Sequence, residues 1–322
     1  MKKLTALIVT LLTFAGMALA NAQDYPARPI RVIVAYPAGG AADLIVRAVF
    51  NRLESKGYQV VIENRAGGGT QIAAETVAKS ASDGYTLFAT GMETFAISPF
   101  IRSKLSYDPV NDFVPITGLG YAHQILAVPA NSPITSIKDL VTRAKATPNV
   151  LQYGTIGIGG SAHINMVLFE QLAGVKLTPV HYRGGAPMLN DLIGGHVPAG
   201  FLSVTLLAEH INAGKLRGLG VGSKSRLSQL PDVPTIDESG VPGFEAVSWF
   251  GLFAPKPTSH AIVQKLNTDI QTVFADADFK RRFLDPNFLG VITGTPDEFQ
   301  VYIDQEAEKW KKVIKGANLK ID

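Results

Sequence analysis

Two glycines after an apolar segment have the clearest chemical potential in this sequence. Residues Ile30–Tyr36 are largely apolar and β-branched, which predicts a buried strand, and Pro37 ends it. Gly39 and Gly40 permit a sharp backbone turn, and apolar residues at helical spacing follow from Ile45. This order leaves unpaired N–H groups and a positive helix end at the edge of a sheet. The pattern is typical of an anion site, and equally of a tight turn that binds nothing.

A similar turn lies in the other half of the chain. Tyr182-Arg-Gly-Gly-Ala resembles Tyr36-Pro-Ala-Gly-Gly-Ala, and both end a predicted strand and open a predicted helix. If the two halves of the chain face each other, two positive helix ends point into one cleft. The similarity rests on few residues, and it indicates an anion site with two sides.

Catalytic and nucleotide-binding patterns are weak. Gly154–Gly160 precedes a helix, but it lacks the G-x-G-x-x-G spacing of dinucleotide-binding proteins. The next strand, which ends at Tyr182, has no acidic residue at its end that could bind a ribose hydroxyl. Ser161 and His163 are two residues apart on a helix and do not face each other, so a Ser–His hydrolase needs contacts that the sequence does not show. Six histidines without metal-ligand spacing, and no cysteine, predict neither a metal site nor a cofactor.

Three titratable residues follow the glycine turns. Asp43 and Asp191 each lie early in a helix after a Gly-Gly pair, where compensation of the helix dipole is the favoured interpretation. The alternative is that they orient the glycine loop or a bound water. His163 has the best claim to function among the histidines, because it lies in the first turn of a helix preceded by glycines.

Residues 1–22 are predicted to be a secretory signal peptide. Lys2 and Lys3 precede the apolar segment Leu4–Ala20, and Ala20-Asn21-Ala22 is an A-x-A cleavage site. An N-terminal membrane anchor is the alternative. Cleavage would leave 28 basic and 27 acidic residues, so the net charge of +1 gives no electrostatic support for nucleic-acid or membrane binding.

Strand and helix patterns alternate along the mature chain. This alternation predicts an α/β fold with mainly parallel, doubly wound sheets, in which ligands bind beyond the carboxyl ends of the strands. In the first half these ends are Tyr36–Gly40, Asn64–Thr70 and Thr90–Thr94. Ser103–Pro115 has no periodicity and is interpreted as a surface connection. A last helix over 296–314 has one apolar stripe and is predicted to dock on a domain.

Several segments together resemble a known family. The chain is similar to the substrate-binding proteins of tripartite tricarboxylate transporters, the bacterial periplasmic receptors called Bug proteins. The segments run in family order over nearly the whole mature chain. They are Tyr25–Ile30, Val34–Asp43, Val61–Gly69, Ser82–Leu87, Tyr107–Ile116, His181–Pro187, Asp191–His196 and Leu230–Ile236.

The resemblance implies a type II periplasmic binding protein with two lobes and two crossover strands. Each lobe would be a doubly wound, mainly parallel sheet flanked by helices. Lobe one would comprise 23–123 and 247–322, and lobe two 124–246. The crossover strands would be Gln124–Pro129 and Val247–Ala254.

The resemblance also implies a function without catalysis. The protein would be a periplasmic receptor, most simply a monomer, that closes over a small organic carboxylate. The carboxylate would be a di- or tricarboxylate or an aromatic acid, delivered to membrane permease subunits of a tripartite tricarboxylate transporter. The alternative is the ligand-binding component of a sensory system with the same clamp.

Carried over to this chain, the resemblance names ligand-binding residues. Glycine loops of both lobes would hold one carboxylate, partly through water. The implied set is Tyr36, Pro37, Ala38, Gly39, Gly40 and Asp43 in lobe one, and Gly157, Ser161, Ala162, His163, Gly184 and Gly185 in lobe two. Position in the chain adds Met92, Glu93, Thr94, Tyr121, Ser203 and Thr205 as specificity residues. Of these, Glu93 is expected to disfavour a second carboxylate beside it, and Ser203 argues against amino acids.

Overall fold

The structure is a computed structural model that describes residues 25–321. The predicted signal peptide, residues 1–22, lies outside this range. Within the range, strands and helices alternate as predicted, and the α/β class is confirmed. None of the helices described there combines the length and apolar character needed to span a membrane.

Three parallel strands form one end of the sheet. Strands β1 (Ile30–Val34), β2 (Val60–Asn64) and β3 (Thr86–Gly91) lie in the order β2-β1-β3, and helices α1 (Ala41–Leu53) and α2 (Gln71–Ala78) connect them. The apolar side chains of β1 are fully buried, as expected for a strand covered on both faces. The strand, glycine turn and helix predicted at the start of the chain are therefore confirmed.

A short helical region then leads to one long strand. A π-helical turn (Glu93–Ile97) and α3 (Ser98–Ile101) follow β3, and β4 spans Phe113–Pro129. The prediction of a surface connection is wrong for Phe113–Pro115, because these residues pair with the later strand β9 (Val247–Pro255). Tertiary pairing, and not local periodicity, places them in a strand.

The second half of the chain again alternates strands and helices. In chain order these are α4 (Ile137–Ala146), β5 (Gln152–Ile156), α5 (Ser161–Ala173), β6 (Thr178–Tyr182), α6 (Gly185–Gly194), β7 (Gly200–Ser203), α7 (Val204–Asn212) and β8 (Leu216–Val221). Strand β5 pairs in parallel with β6 and β7. Strands β7 and β8 both pair antiparallel with β4.

The chain ends with helices that return to the first half. After β9 come α8 (His260–Phe274), α9 (Ala277–Phe279), a π-helical turn (Lys280–Leu284), β10 (Leu289–Gly290) and α10 (Pro296–Gly316). Helix α10 begins with a capping box between Thr295 and Glu298. Phe299, Ile303 and Trp310 on its apolar stripe are buried, which confirms the predicted docking helix.

Strand β4 connects the two halves of the sheet. The strand order is β2-β1-β3-β9-β4-β7-β5-β6, with β8 and β10 also paired to β4. Up to His123 strand β4 pairs with β9, and from Gln124 it pairs with β7 and β8. The predicted parallel groups are therefore joined by antiparallel strands that run between them. The division into lobes 23–123 plus 247–322 and 124–246 stays a prediction.

Candidate functional site

A cleft of about 470 Å³ is lined by residues from both halves of the chain. Eleven of the predicted site residues line it, and they come from the two Gly-Gly turns, the start of α5 and the neighbouring strand ends. They are Tyr36, Pro37, Ala38, Gly39, Gly40, Glu93, Ser161, Ala162, Gly184, Gly185 and Ser203. The family resemblance, together with position in the chain for Glu93 and Ser203, thus named most of the polar and glycine-rich part of this surface.

Three helices begin at the cleft without a side-chain cap. The N-cap residues are Gly40 for α1, Gly160 for α5 and Gly184 for α6, and all three line the cleft with the first residues of their helices. A glycine N-cap has no side-chain oxygen to accept from the first helical N–H groups. The cleft therefore collects backbone N–H groups and the positive ends of three helix dipoles, which together favour an anion.

Asp43 lies behind the first glycine turn, not in the cleft. Its buried carboxylate accepts hydrogen bonds from the Gly39 N–H (2.9 Å), from Arg47 Nε (3.0 Å) and from Asn64 Nδ2 (3.0 Å). Burial opposes ionisation, but these hydrogen bonds outweigh it and hold the pKa of Asp43 below its usual range. Gly39 has φ +78°, a left-handed conformation that favours glycine. The contacts of Asp43 thus fit the interpretation that it orients the loop.

His163 has a comparable position behind the glycine loop that precedes α5. Its Nδ1 accepts from the Gly159 N–H (3.1 Å), and the His181 ring lies edge-on with its centroid 4.9 Å away. Burial, with a smaller contribution from His181, lowers the pKa of His163 to about 4. A neutral His163 is therefore part of the loop's support, because only an unprotonated Nδ1 can accept that hydrogen bond.

We expect acid to weaken the fold through His163. The unfolded pKa near 6.5 lies above the folded value of about 4, so the contribution is fully present above pH 6.5 and is lost as the pH falls towards 4. The loss amounts to about 2–3 kcal/mol at pH 4. Urea unfolding of the wild type and of His163→Asn, measured between pH 7 and pH 4, checks this. Asparagine can accept from Gly159 but does not titrate.

The variant should lose less stability over this range than the wild type, and the exposed His260→Asn should behave as the wild type. Parallel pH profiles for the wild type and His163→Asn would contradict the assigned role of His163.

Glu93 joins the two halves of the cleft. Its Oε1 accepts from the backbone N–H of Ser161, the first residue of α5, at 3.1 Å, and its Oε2 accepts from the Tyr36 hydroxyl at 2.6 Å. The residue is buried, with 9% of its surface exposed. Burial first, and then the charge of Glu93, raise the pKa of Tyr36 well above its usual value. Tyr36 therefore keeps its proton and acts as a hydrogen-bond donor.

Seven predicted residues do not line the cleft. Met92 is fully buried, the Thr94 hydroxyl is paired with Thr70 and Thr90, and Thr205 donates to the Asn287 carbonyl. Tyr121 packs on Gly290 and His123, and the Gly157 N–H donates to the Tyr182 carbonyl. The set is Asp43, Met92, Thr94, Tyr121, Gly157, His163 and Thr205. Their side chains or N–H groups are occupied elsewhere, so direct contact between them and a ligand stays a prediction.

Several cleft residues were missed by the sequence analysis. Arg183 is exposed in the cleft wall and forms no ion pair with any residue in 25–321. Its position next to the Gly184-Gly185 turn is the sequence feature that could have identified it. Gln124 donates to the Ser248 hydroxyl and accepts from Asn165 Nδ2 (3.1 Å), and both Gln124 and Ser248 are buried. These two lie on different strands, so no local pattern connects them.

The remaining wall of the cleft is mainly apolar. It comprises Ala122, Ile156, Leu202, Leu206 and Phe250. No group of three or more acidic or histidine side chains within the described residues is arranged to hold a metal ion. The arrangement of this surface is therefore suited to a small molecule with an anionic end and a less polar body.

A family profile and a related protein identify the family of this chain. The sequence profile of the tripartite tricarboxylate transporter family receptor matches residues 45–319. Protein BugT of Bordetella pertussis is 34% identical over 325 residues, which cover 99% of this chain and 99% of BugT.

Two solved structures are similar along almost their full length. Rpa4515 of R. palustris, solved with adipate, has a TM-score of 0.86 at 34% identity and covers 92% of this chain and 99% of its own. MatC from Rhodopseudomonas palustris, solved with bound malate, has a TM-score of 0.79 at 27% identity and covers 90% of this chain and 100% of its own. The predicted two-lobed binding-protein fold is confirmed by these similarities. The chain therefore belongs to the tripartite tricarboxylate transporter receptor family, the Bug family of periplasmic solute-binding proteins.

Proposed function

We propose that this protein is an exported receptor that closes over a small organic carboxylate and delivers it to the permease of a tripartite tricarboxylate transporter. The observation that carries the proposal is the convergence on one cleft of three helix N-termini that each have a glycine N-cap. The receptors of this family are not enzymes, and we assign no catalytic residue to this chain.

The anionic end of the ligand is assigned to the first and third helix starts. The N–H groups that follow Gly40 and Gly184 have no side-chain cap, and Arg183 adds a full positive charge beside the second of them. Such donors suit a carboxylate, because charge-assisted hydrogen bonds are stronger than neutral ones. The adipate of Rpa4515 and the malate of MatC are dicarboxylates, and they support a ligand with at least one carboxylate end.

Closure would bring lobe one (residues 23–123 and 247–322) against lobe two (residues 124–246). Contacts between these parts already include the hydrogen bonds of Glu93 with Ser161 and of Thr205 with Asn287. A ligand that touches α1 and α6 at once binds the closed arrangement more tightly than an open one, and this difference drives closure. The other cleft residues of the predicted set are assigned to ligand contact, and Asp43 and His163 to positioning of the loops.

Replacing Arg183 by glutamine tests the anion site. We expect the affinity for a bound carboxylate to fall about 10- to 100-fold, because a hydrogen bond to a charged group contributes about 1.5–3 kcal/mol. Isothermal titration with benzoate, adipate and malate, on protein unfolded and refolded to remove any carried ligand, measures the change. Lys138→Gln alters an exposed cation on α4, outside the cleft, and should leave the affinity unchanged. Equal affinities in Arg183→Gln and the wild type would refute the assignment of Arg183.

A further inference from the structure

The start of α5 differs from the other two helix starts in the cleft. Its first N–H, that of Ser161, already has an anionic partner in Oε1 of Glu93. The second oxygen of Glu93 is bound by Tyr36, which follows β1. A side-chain carboxylate of the protein therefore occupies one of the three positions at which the cleft could hold an anion.

The remaining groups that could bind an anion lie elsewhere in the cleft. They are the uncapped starts of α1 and α6, and Arg183 beside α6. No other arginine or lysine lines this cleft within the described residues, and the groups bonded to Glu93 are the Ser161 N–H and the Tyr36 hydroxyl, neither of which carries a full charge. The other polar groups near the wall are neutral, namely Gln124, Ser203 and Ser248.

We infer that Glu93 makes this receptor selective for monocarboxylates over dicarboxylates of the same size. The inference rests on the proposed function and narrows its ligand class. One ligand carboxylate occupies the starts of α1 and α6 with Arg183. A second ligand carboxylate would meet Glu93 instead of a free helix start.

Electrostatics gives the size of this effect. Two like charges a few ångströms apart in a partly buried site repel each other strongly enough to change affinity by about tenfold or more. An uncharged ligand end avoids this repulsion and packs on Ile156, Leu202 and Phe250. The favoured ligand is therefore a monocarboxylate with an apolar or aromatic body.

Matched pairs of acids test the inference. Hexanoate and adipate have the same chain length and differ by one carboxylate, as benzoate and terephthalate do for an aromatic ring. Isothermal titration on ligand-stripped wild type should give at least tenfold tighter binding of one or both monocarboxylates than of the matched dicarboxylate. In Glu93→Gln, which keeps the size and an acceptor for Ser161, this preference should fall by tenfold or more.

The controls distinguish a change in ligand selectivity from a loss of folding and from a loss of carboxylate binding. Glu75→Gln changes an exposed carboxylate that pairs with Lys79, and it should keep the wild-type preference. Glu93→Ser serves as a second variant with the same expectation as Glu93→Gln. Wild type that binds a dicarboxylate as tightly as its monocarboxylate partner would overturn the inference and leave the proposed function intact. Wild type that binds no carboxylate at all would overturn the proposed function, and the inference with it.

Discussion

Valine in place of Gly40 is expected to abolish carboxylate binding while the chain stays folded. Gly40 has φ −77° and ψ 166°, which any residue can adopt. A Cβ built there meets only the Pro37 carbonyl oxygen, at 3.4 Å. The side chain would therefore extend into the cleft and cover the N–H groups at the start of α1. We expect the affinity to fall more than about 100-fold, because the ligand loses several charge-assisted hydrogen bonds.

The matched partner of this variant lies on the opposite side of the cleft. Gly184 has φ 169°, extended backbone, and a Cβ there comes no closer than 4.0 Å to Pro187. Gly184→Val should therefore also block binding without unfolding the chain. Gly160→Val is unsuitable, because its Cβ would lie 2.5 Å from the Ile156 carbonyl oxygen and distort the loop. Ala275→Val adds methyl groups at an exposed position outside the cleft and is the control.

Titration calorimetry and circular dichroism together decide the outcome. Retained affinity in a folded Gly40→Val protein would show that the start of α1 does not hold the ligand. Loss of binding with loss of the native spectrum would contradict the claim that this position is free for a side chain.

Truncation of Trp310 to alanine is expected to cost about 3–5 kcal/mol of unfolding free energy. The indole is fully buried on α10, and its N–H donates to Glu306 at 2.8 Å. The same core contains Trp249 and Phe253 of β9 and Phe169 of α5, and Gln171 of α5 donates to the Val313 carbonyl of α10, so this helix contacts both halves of the chain. Truncation would lose the transfer free energy of the buried indole, and the cavity left behind would remove packing contacts from both halves of the chain.

Urea unfolding measures this loss. Val301→Ala on the same helix, 54% exposed, should change stability by less than about 0.5 kcal/mol. A loss below about 1 kcal/mol in Trp310→Ala would contradict the account of α10 as the helix that docks across the two halves.

Local patterns explain why much of the fold was predictable. The apolar run of β1, the turn at Gly39 and Gly40 and the stripe of α10 are each contained within one short segment. Periodicity and glycine chemistry act at this range. The pairing of Phe113–Pro115 with β9 joins residues more than 130 positions apart, and no local signal reports it.

Local sequence patterns also predict the candidate site only in part. Met92, Glu93 and Thr94 are consecutive, yet only Glu93 lines the cleft. A π-helical turn sets which side chain faces inward, and regular helical periodicity does not predict such a turn. The contacts of Glu93 with Tyr36 and Ser161 span 57 and 68 positions. They depend on how the two halves pack.

Thermal unfolding of ligand-stripped protein against carboxylates and their neutral amides tests the central claim most directly. The pairs are benzoate with benzamide and hexanoate with hexanamide, together with adipate and malate. A carboxylate at 100 times its dissociation constant should stabilise the fold by about 2.7 kcal/mol, and the matched amide should not. No shift with any carboxylate, or equal shifts for acid and amide, would contradict a cleft built to hold an organic anion.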